Sequence, residues 1–328
     1  MNGKLKKIAI SALCLILIIL AFALVGCGEK EEDKPSFTVT FAQGGTTKAE
    51  ITVVSGEKID SAAVAAPDKE QDGFVTEWNF DFDLPVTESR TVSTVSYTEG
   101  LTFAKSLKGG EYVVTGYTGR SEDVFMPDFY REKPVASIRA EAFKGNETIV
   151  SVRFPASLVS IGEEAFKACV NLGSVNFPDA VTTLGASAFS ECEGLEEFTF
   201  PKNITIVSSR VVQGCNFDFV AVPEGVTAIE PYAFACKATT IVLPASLRRI
   251  EELGLWANLT TIYYAGEDYR WETVTISEVP YTNGGITFSA KSVATERATV
   301  YFYSETAPSK PGNYWHYVSG EPAIWEQA

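Results

Sequence analysis

The stretch SLVSIGEEAFKACVNLGSVNFP, residues 157–178, decides the fold, because the chain repeats it. Its landmarks are Ile161, Ala165-Phe166, Cys169, Leu172, Val175, Phe177 and Pro178. One coil later they return as Leu184, Ala188-Phe189, Cys192, Leu195, Phe198, Phe200 and Pro201. Upstream lie Ile138, Ala142-Phe143, Ile149, Val152, Phe154 and Pro155. Downstream, Val207, Val211-Val212, Cys215, Val220, Val222 and Pro223 keep the phase, as do Ile229, Ala233-Phe234, Cys236, Ile241, Leu243 and Pro244. A sixth, decayed coil runs through Ile250, Gly254-Leu255, Leu259, Ile262 and Tyr264. After each of Pro155, Pro178, Pro201, Pro223 and Pro244 an aliphatic residue follows six positions later. A period of about 23 residues marks a solenoid.

The physics of one coil follows from its pattern. Val175-Asn176-Phe177 alternates apolar and polar, as a half-buried strand does. The proline beside it ends the strand, because it has no N–H for the ladder. Ala165-Phe166 supplies a turn or short helical piece with the ring toward the axis. No coil buries its apolar side alone, so coils stack with parallel strands about 4.8 Å apart, in a slab roughly 25 Å long. Phe166 and Phe189 then share one inward position in adjacent coils.

The same register puts alternate side chains outside. If Val175 and Phe177 point inward, Ser174 and Asn176 point outward. The other outward pairs are Ser151/Arg153, Glu197/Thr199, Phe219/Ala221, Thr240/Val242 and Thr261/Tyr263. Together they form a candidate binding surface, the kind solenoids offer to extended partners. Its apolar members Phe219, Val242 and Tyr263 gather toward the carboxyl-terminal half. They are either interface anchors or residues covered by the tail, 266–328.

The quoted string closely resembles the BspA-type leucine-rich repeats of bacterial surface proteins. The lead-in GLTFAKSLKGGEYVVTGYTGRSEDVFMPDFYREKPVASI, from Gly100, and the tail IYYAGEDYRWETV…ATVYFYSE…PGNYWHYVSGEPAIW resemble the segments flanking such arrays. The resemblance implies a mainly β leucine-rich-repeat solenoid with short helical or turn pieces. It also implies surface adhesion through a protein or glycan partner, and it suggests a Gram-positive host. Coil 207–223 departs from the pattern, with Val211-Val212 for Ala-Phe and one residue deleted before Pro223, so regular curvature is not expected there.

The amino terminus reads as an export signal. Met1–Lys7 is basic, Ile8–Val25 is almost wholly apolar, and Leu24-Val25-Gly26-Cys27 precedes the charged linker Glu29–Lys34. An uncleaved membrane span is the competing reading of such a run. The string before Cys27 resembles the lipobox of bacterial lipoproteins, which implies diacylglycerol on Cys27 and cleavage after Gly26. Two acyl chains suffice for stable anchoring. The next segment, 37–96, lies outside the repeat. Phe37–Phe41 and Ile51–Val53 read as a hairpin across Gly44-Gly45. With Asp72–Trp78 standing where the GY-F-GW core would be, the segment resembles the Listeria–Bacteroides B-repeat, a small β-grasp-like module. The expected organisation is signal 1–26, lipidated linker 27–36, module 37–96, amino-terminal solenoid cap 97–134, repeats 135–265, and carboxyl-terminal cap and tail 266–328.

Composition bounds the chemistry. Hydrophobic residues make up 45% and charged ones 21%, enough for a packed core. The formal net charge is −15, and loss of Lys4, Lys6 and Lys7 with the signal would make it more negative still. Such a surface repels nucleic acid, so no nucleic-acid partner is expected. A single histidine, His316, leaves little room for a Ser-His-Asp triad or a histidine zinc site. It reads as an imidazole packed among tail aromatics. Cys169, Cys192, Cys215 and Cys236 recur in phase, either as buried thiols or as one or two disulfides; a row along one axis cannot surround a metal tetrahedrally. No phosphate-cradling or dinucleotide loop is present, so neither cofactor nor metal is expected. The expected function is binding, at the membrane surface. Alternatives of other classes are an anchored carboxylate-dependent hydrolase and a structural envelope spacer.

Overall fold

A computed structural model describes residues 34–325, apart from Gly284 and the side chain of Asn283. The chain divides after Pro35, and from Ser36 onward it forms one compact unit. That unit is dominated by strands. Its helical pieces, among the described residues, are the turns at Ser61–Ala63, Asp268–Trp271 and Ala290–Arg297.

The coils contribute short strands to two parallel ladders. The ladder expected from the alternating pattern runs through Asp123–Phe125, Ser151–Arg153 and Ser174–Val175, then Phe219–Ala221, Thr240–Leu243 and Thr261–Tyr264. The other ladder holds the aliphatic residue six places after each proline. It runs through Tyr112–Tyr117, Lys133–Ile138, Ser160–Ile161 and Thr183–Leu184, then Ile206–Val207, Ala228–Ile229, Arg249–Ile250 and Thr275–Ile276. Two-residue strands are too short to show alternation, so in the sequence this ladder appears only as a recurring aliphatic.

Both ladders are interrupted around the third coil. Ser174–Val175 has no partner strand there, a lone Thr199–Ala221 bridge links that coil to the fourth, and Thr183–Leu184 does not pair with Ile206–Val207. A Cβ on Gly162 or Gly185 would come within 2.4 Å of the preceding coil's backbone, so glycine permits the close approach of these coils. Ser208 occupies that place in the fourth coil, and its hydroxyl donates to the Leu184 carbonyl at 2.5 Å. In the next two coils the place holds Glu230 and Glu251, whose N–H groups bond Val207 O and Ile229 O. The Leu184–Val207 interruption adjoins the coil whose sequence departs from the pattern.

A third ladder lies at the turns. Glu141, Glu164, Ser187, Arg210, Tyr232 and Leu253 each immediately precede the Ala-Phe position or its equivalent, and all adopt left-handed backbone with φ between 51° and 61°. That geometry points their N–H groups at the next coil: Glu141 to Glu163 O, Glu164 to Ala186 O, Ser187 to Ser209 O. Four residues on, Gly145, Ala168, Glu191 and Gly214 are left-handed too. Inside, Phe143, Phe166 and Phe189 stack face to face, with centroids 4.7 and 5.2 Å apart and planes within 4°. Val212 ends the stack.

The tail extends the array. Thr299–Tyr303 pairs in parallel with Thr261–Tyr264, Tyr314–Val318 pairs with it in turn, and Glu321–Ile324 closes antiparallel. At the other end, Ser36–Gln43 and Thr46–Val54 form the hairpin across Gly44-Gly45, and Arg90–Val92 joins it in parallel. This region has its own core around Phe41, Trp78 and Phe80. The expected boundary after residue 96 falls inside a strand, Thr94–Thr98, which pairs with Phe74–Trp78 while its Tyr97 enters the solenoid core. Ion pairs reinforce the join: Lys105 with the buried Asp81 at 2.7 Å and Arg90 with Glu132 at 3.1 Å. Burial alone would raise the Asp81 carboxyl, but Lys105, the Asp83 backbone N–H and Arg131 together outweigh it and hold the group below its ordinary value.

Candidate binding surface

The outward row starts from strands whose inner residues are fixed in the core. Val152, Val175, Phe198, Val220, Ile241 and Ile262 are all buried. Between them Arg153, Ser174, Asn176, Glu197, Thr199, Phe219 and Ala221 are exposed, and Ser151 is half-buried. Several are positioned by neighbours. The Ser151 hydroxyl bonds the Asp123 carboxylate, and the Arg153 guanidinium lies 4.9 Å over the Phe125 ring.

Two shallow clefts open along this row, where successive Phe-Pro corners stack. One, of about 380 Å³, lies between Arg153, Asp128, Asn176 and Phe177. The next, of about 270 Å³, lies between Asn176, Phe177, Thr199 and Lys202. Asn176 lines both. The half-buried Phe177 ring is stacked 5.7 Å from Phe154, giving the clefts an apolar wall beneath polar rims. The sequence placed Arg153, Asn176 and Thr199 on this face; Asp128 and Lys202, on the connecting loops, carry no repeat signal.

The carboxyl-terminal half differs from the expectation of an exposed apolar cluster. Thr240 and Thr261 are half-buried, whereas Val242 and Tyr263 are only 5% and 9% exposed. The tail covers them. Trp315 is fully buried against Tyr263, at 5.3 Å between centroids, and its indole N–H donates to Tyr264 O at 2.9 Å. Tyr301 packs on the same ring. Tail burial therefore applies to Val242 and Tyr263, and of the three apolar residues Phe219 alone is exposed.

Cys169, Cys192, Cys215 and Cys236 are free and buried. The first three thiols donate to the carbonyls of Phe143, Phe166 and Phe189 at 3.1–3.2 Å. Burial pushes Cys169 and Cys215 up to about 12 and Cys236 to about 11, and raises Cys192 likewise. These groups are held as thiols, not as the thiolates that metals and nucleophilic chemistry need. His316 stacks on Trp325 at 3.7 Å between centroids. Among the described residues, no group of three or more His, Cys, Asp or Glu converges as metal ligands would. Cys27 and the apolar leader lie outside the described residues. Among those described, no helix is long and apolar enough to cross a membrane.

Residues 125–240 match the family described as the BspA type leucine rich repeat region, in six copies. With its parallel ladders, this array is a leucine-rich-repeat solenoid, and its repeats are similar to the BspA type. Among solved structures, the chain is similar to a leucine rich repeat protein of T. pallidum, at 25% identity and a TM-score of 0.47, over 50% of this chain and 79% of that one. It is also similar to a leucine rich cell surface protein from Faecalibacterium prausnitzii, at 24% identity and a TM-score of 0.39, over 58% of this chain and 46% of that one. A leucine-rich repeat protein from Bacteroides ovatus matches at 15% identity and a TM-score of 0.30, over 63% and 72%. No curated protein matches the chain.

Proposed function

We propose that this chain is an extracytoplasmic, lipid-anchored binding protein whose strand row contacts a protein or glycan partner. The observation that carries the reading is the exposed row from Ser151 to Ala221, with its two adjoining clefts, over a buried inner face. A flat, pre-formed surface loses little entropy on binding, and repeated outward positions suit an extended partner. In this reading diacylglycerol on Cys27 holds the chain to the outer membrane face, and the β-grasp-like segment 37–96 carries the array away from it.

Two experiments test the proposal. Full-length protein screened against arrayed extracellular proteins and glycans should bind a defined ligand, and Arg153→Glu with Asn176→Ala should weaken that binding at unchanged melting temperature. Unchanged binding in the double variant would move the site off this face. Mass spectrometry of the membrane fraction should find the lipid on wild-type protein and not on Cys27→Ala. Lipid on that variant would refute the anchor.

A further inference from the structure

A cavity of about 670 Å³ lies at the other end of the array, where the tail strands leave the last coil. Separate segments build it. Ala245, Ala265 and Gly266 form a floor of small residues, and Phe302 and Tyr314 stand beside it. The floor has no room to fill in: a Cβ on Gly266 would come within 2.6 Å of the Tyr264 ring and 2.9 Å of its hydroxyl. Tyr314 is half-buried and pairs with no other ring among the described residues.

The rim alternates in charge. Glu267, Asp268 and Arg270 lie on one side, Glu305 and Lys310 on the other. Among the described residues, none of Glu267, Glu305 and Lys310 is engaged in an ion pair. Three carboxylates against two cations disfavour an anionic ligand, and a rim this polar disfavours a purely apolar one. What remains is an uncharged molecule with a flat C–H face for the Tyr314 ring and donors and acceptors around its edge. We infer that this cavity is a binding site for a neutral saccharide. The ring face lies on Tyr314, and the hydroxyls bridge Glu305, Arg270 and Glu267. This site stands apart from the strand row, so its failure would leave the proposed function untouched.

Saturation-transfer NMR tests the site, with full-length protein and a panel of neutral methyl glycosides beside a sialic acid glycoside. Wild-type protein should transfer saturation to one face of at least one neutral glycoside. Glu305→Gln should weaken that binding about tenfold, as loss of a charged hydrogen-bond partner does, and Tyr314→Ala should abolish it. Glu305 is exposed, so Glu305→Gln should leave the melting temperature unchanged while weakening the glycoside signal. No transfer to any neutral glycoside, preference for the anionic one, or equal signals from wild type and Glu305→Gln would each overturn the assignment.

Discussion

Phe166 and Phe189 show how a single position carries the array. Each is 0% exposed, and the two rings lie nearly parallel. Phe189→Ala should cost about 3–5 kcal/mol, because rigid neighbouring coils cannot close on the space left behind. Equilibrium denaturation reads this directly, and an unchanged midpoint would contradict the register. Ala168 offers the opposite effect. It holds φ at 58° where Gly145 and Gly214 occupy the equivalent places. Left-handed backbone costs an L-residue about 1–2 kcal/mol, while glycine's extra unfolded-state freedom takes back about 0.5–1. Ala168→Gly should therefore gain about 0.5–1 kcal/mol, visible as a higher melting temperature. The inward phenylalanines were legible in the sequence, because their phase is strict. The left-handed positions were not: Glu, Ser, Arg, Tyr and Leu occupy them, and none advertises that backbone.

At the scale of the repeated element, the thiol row makes stability depend on alkaline pH. In the unfolded chain a cysteine ionises near its ordinary value of 9, whereas folded Cys169 and Cys215 hold their protons to about 12. Between those values the unfolded state has lost protons that the folded state retains. Stability therefore falls as pH rises through this window, by at most about 1.4 kcal/mol per pH unit for each thiol. Below pH 9 the contribution is flat. Replacing Cys169, Cys192, Cys215 and Cys236 together by alanine should flatten the slope of unfolding free energy against pH between 9 and 12. An unaltered slope would place the titration elsewhere. The outward half of each strand was likewise legible from alternation, as far as Ala221. Beyond it, local pattern could not tell whether Val242 and Tyr263 face solvent, since that depends on Trp315, fifty-two residues after Tyr263 in the chain.

Across the whole molecule, the period revealed the solenoid, and the departing coil 207–223 marked the irregular one. The sequence separated the amino-terminal segment from the array more sharply than the structure does. Local patterns end at residue 96, but Lys105–Asp81 and Arg90–Glu132 span the division, and pairing between distant charges leaves no trace in a one-dimensional pattern. The cavity beside Gly266 escaped for a related reason, since its walls come from segments between 245 and 314 that share no motif.

The paired break at Leu184 and Ser208 gives the array a preferred place to part under load. A cell-surface protein held at one end and bound at the other is pulled along the stacking direction. Resistance to such a pull comes from bonds between coils, and here two of the three backbone ladders are interrupted, one on each side of the third coil. The turn bonds from Ser187, Phe189 and Glu191 to the next coil remain, with the Ser208 hydroxyl on Leu184. In single-molecule stretching between residue 36 and the carboxyl terminus, extension should occur in two steps, divided near residue 200, instead of one. Ser208→Ala, which removes the hydroxyl bond across the seam, should lower the force of the first step. Tethered in this way, the molecule would yield halfway along its length, so a sudden tug could be absorbed by one block lengthening while the other keeps its grip.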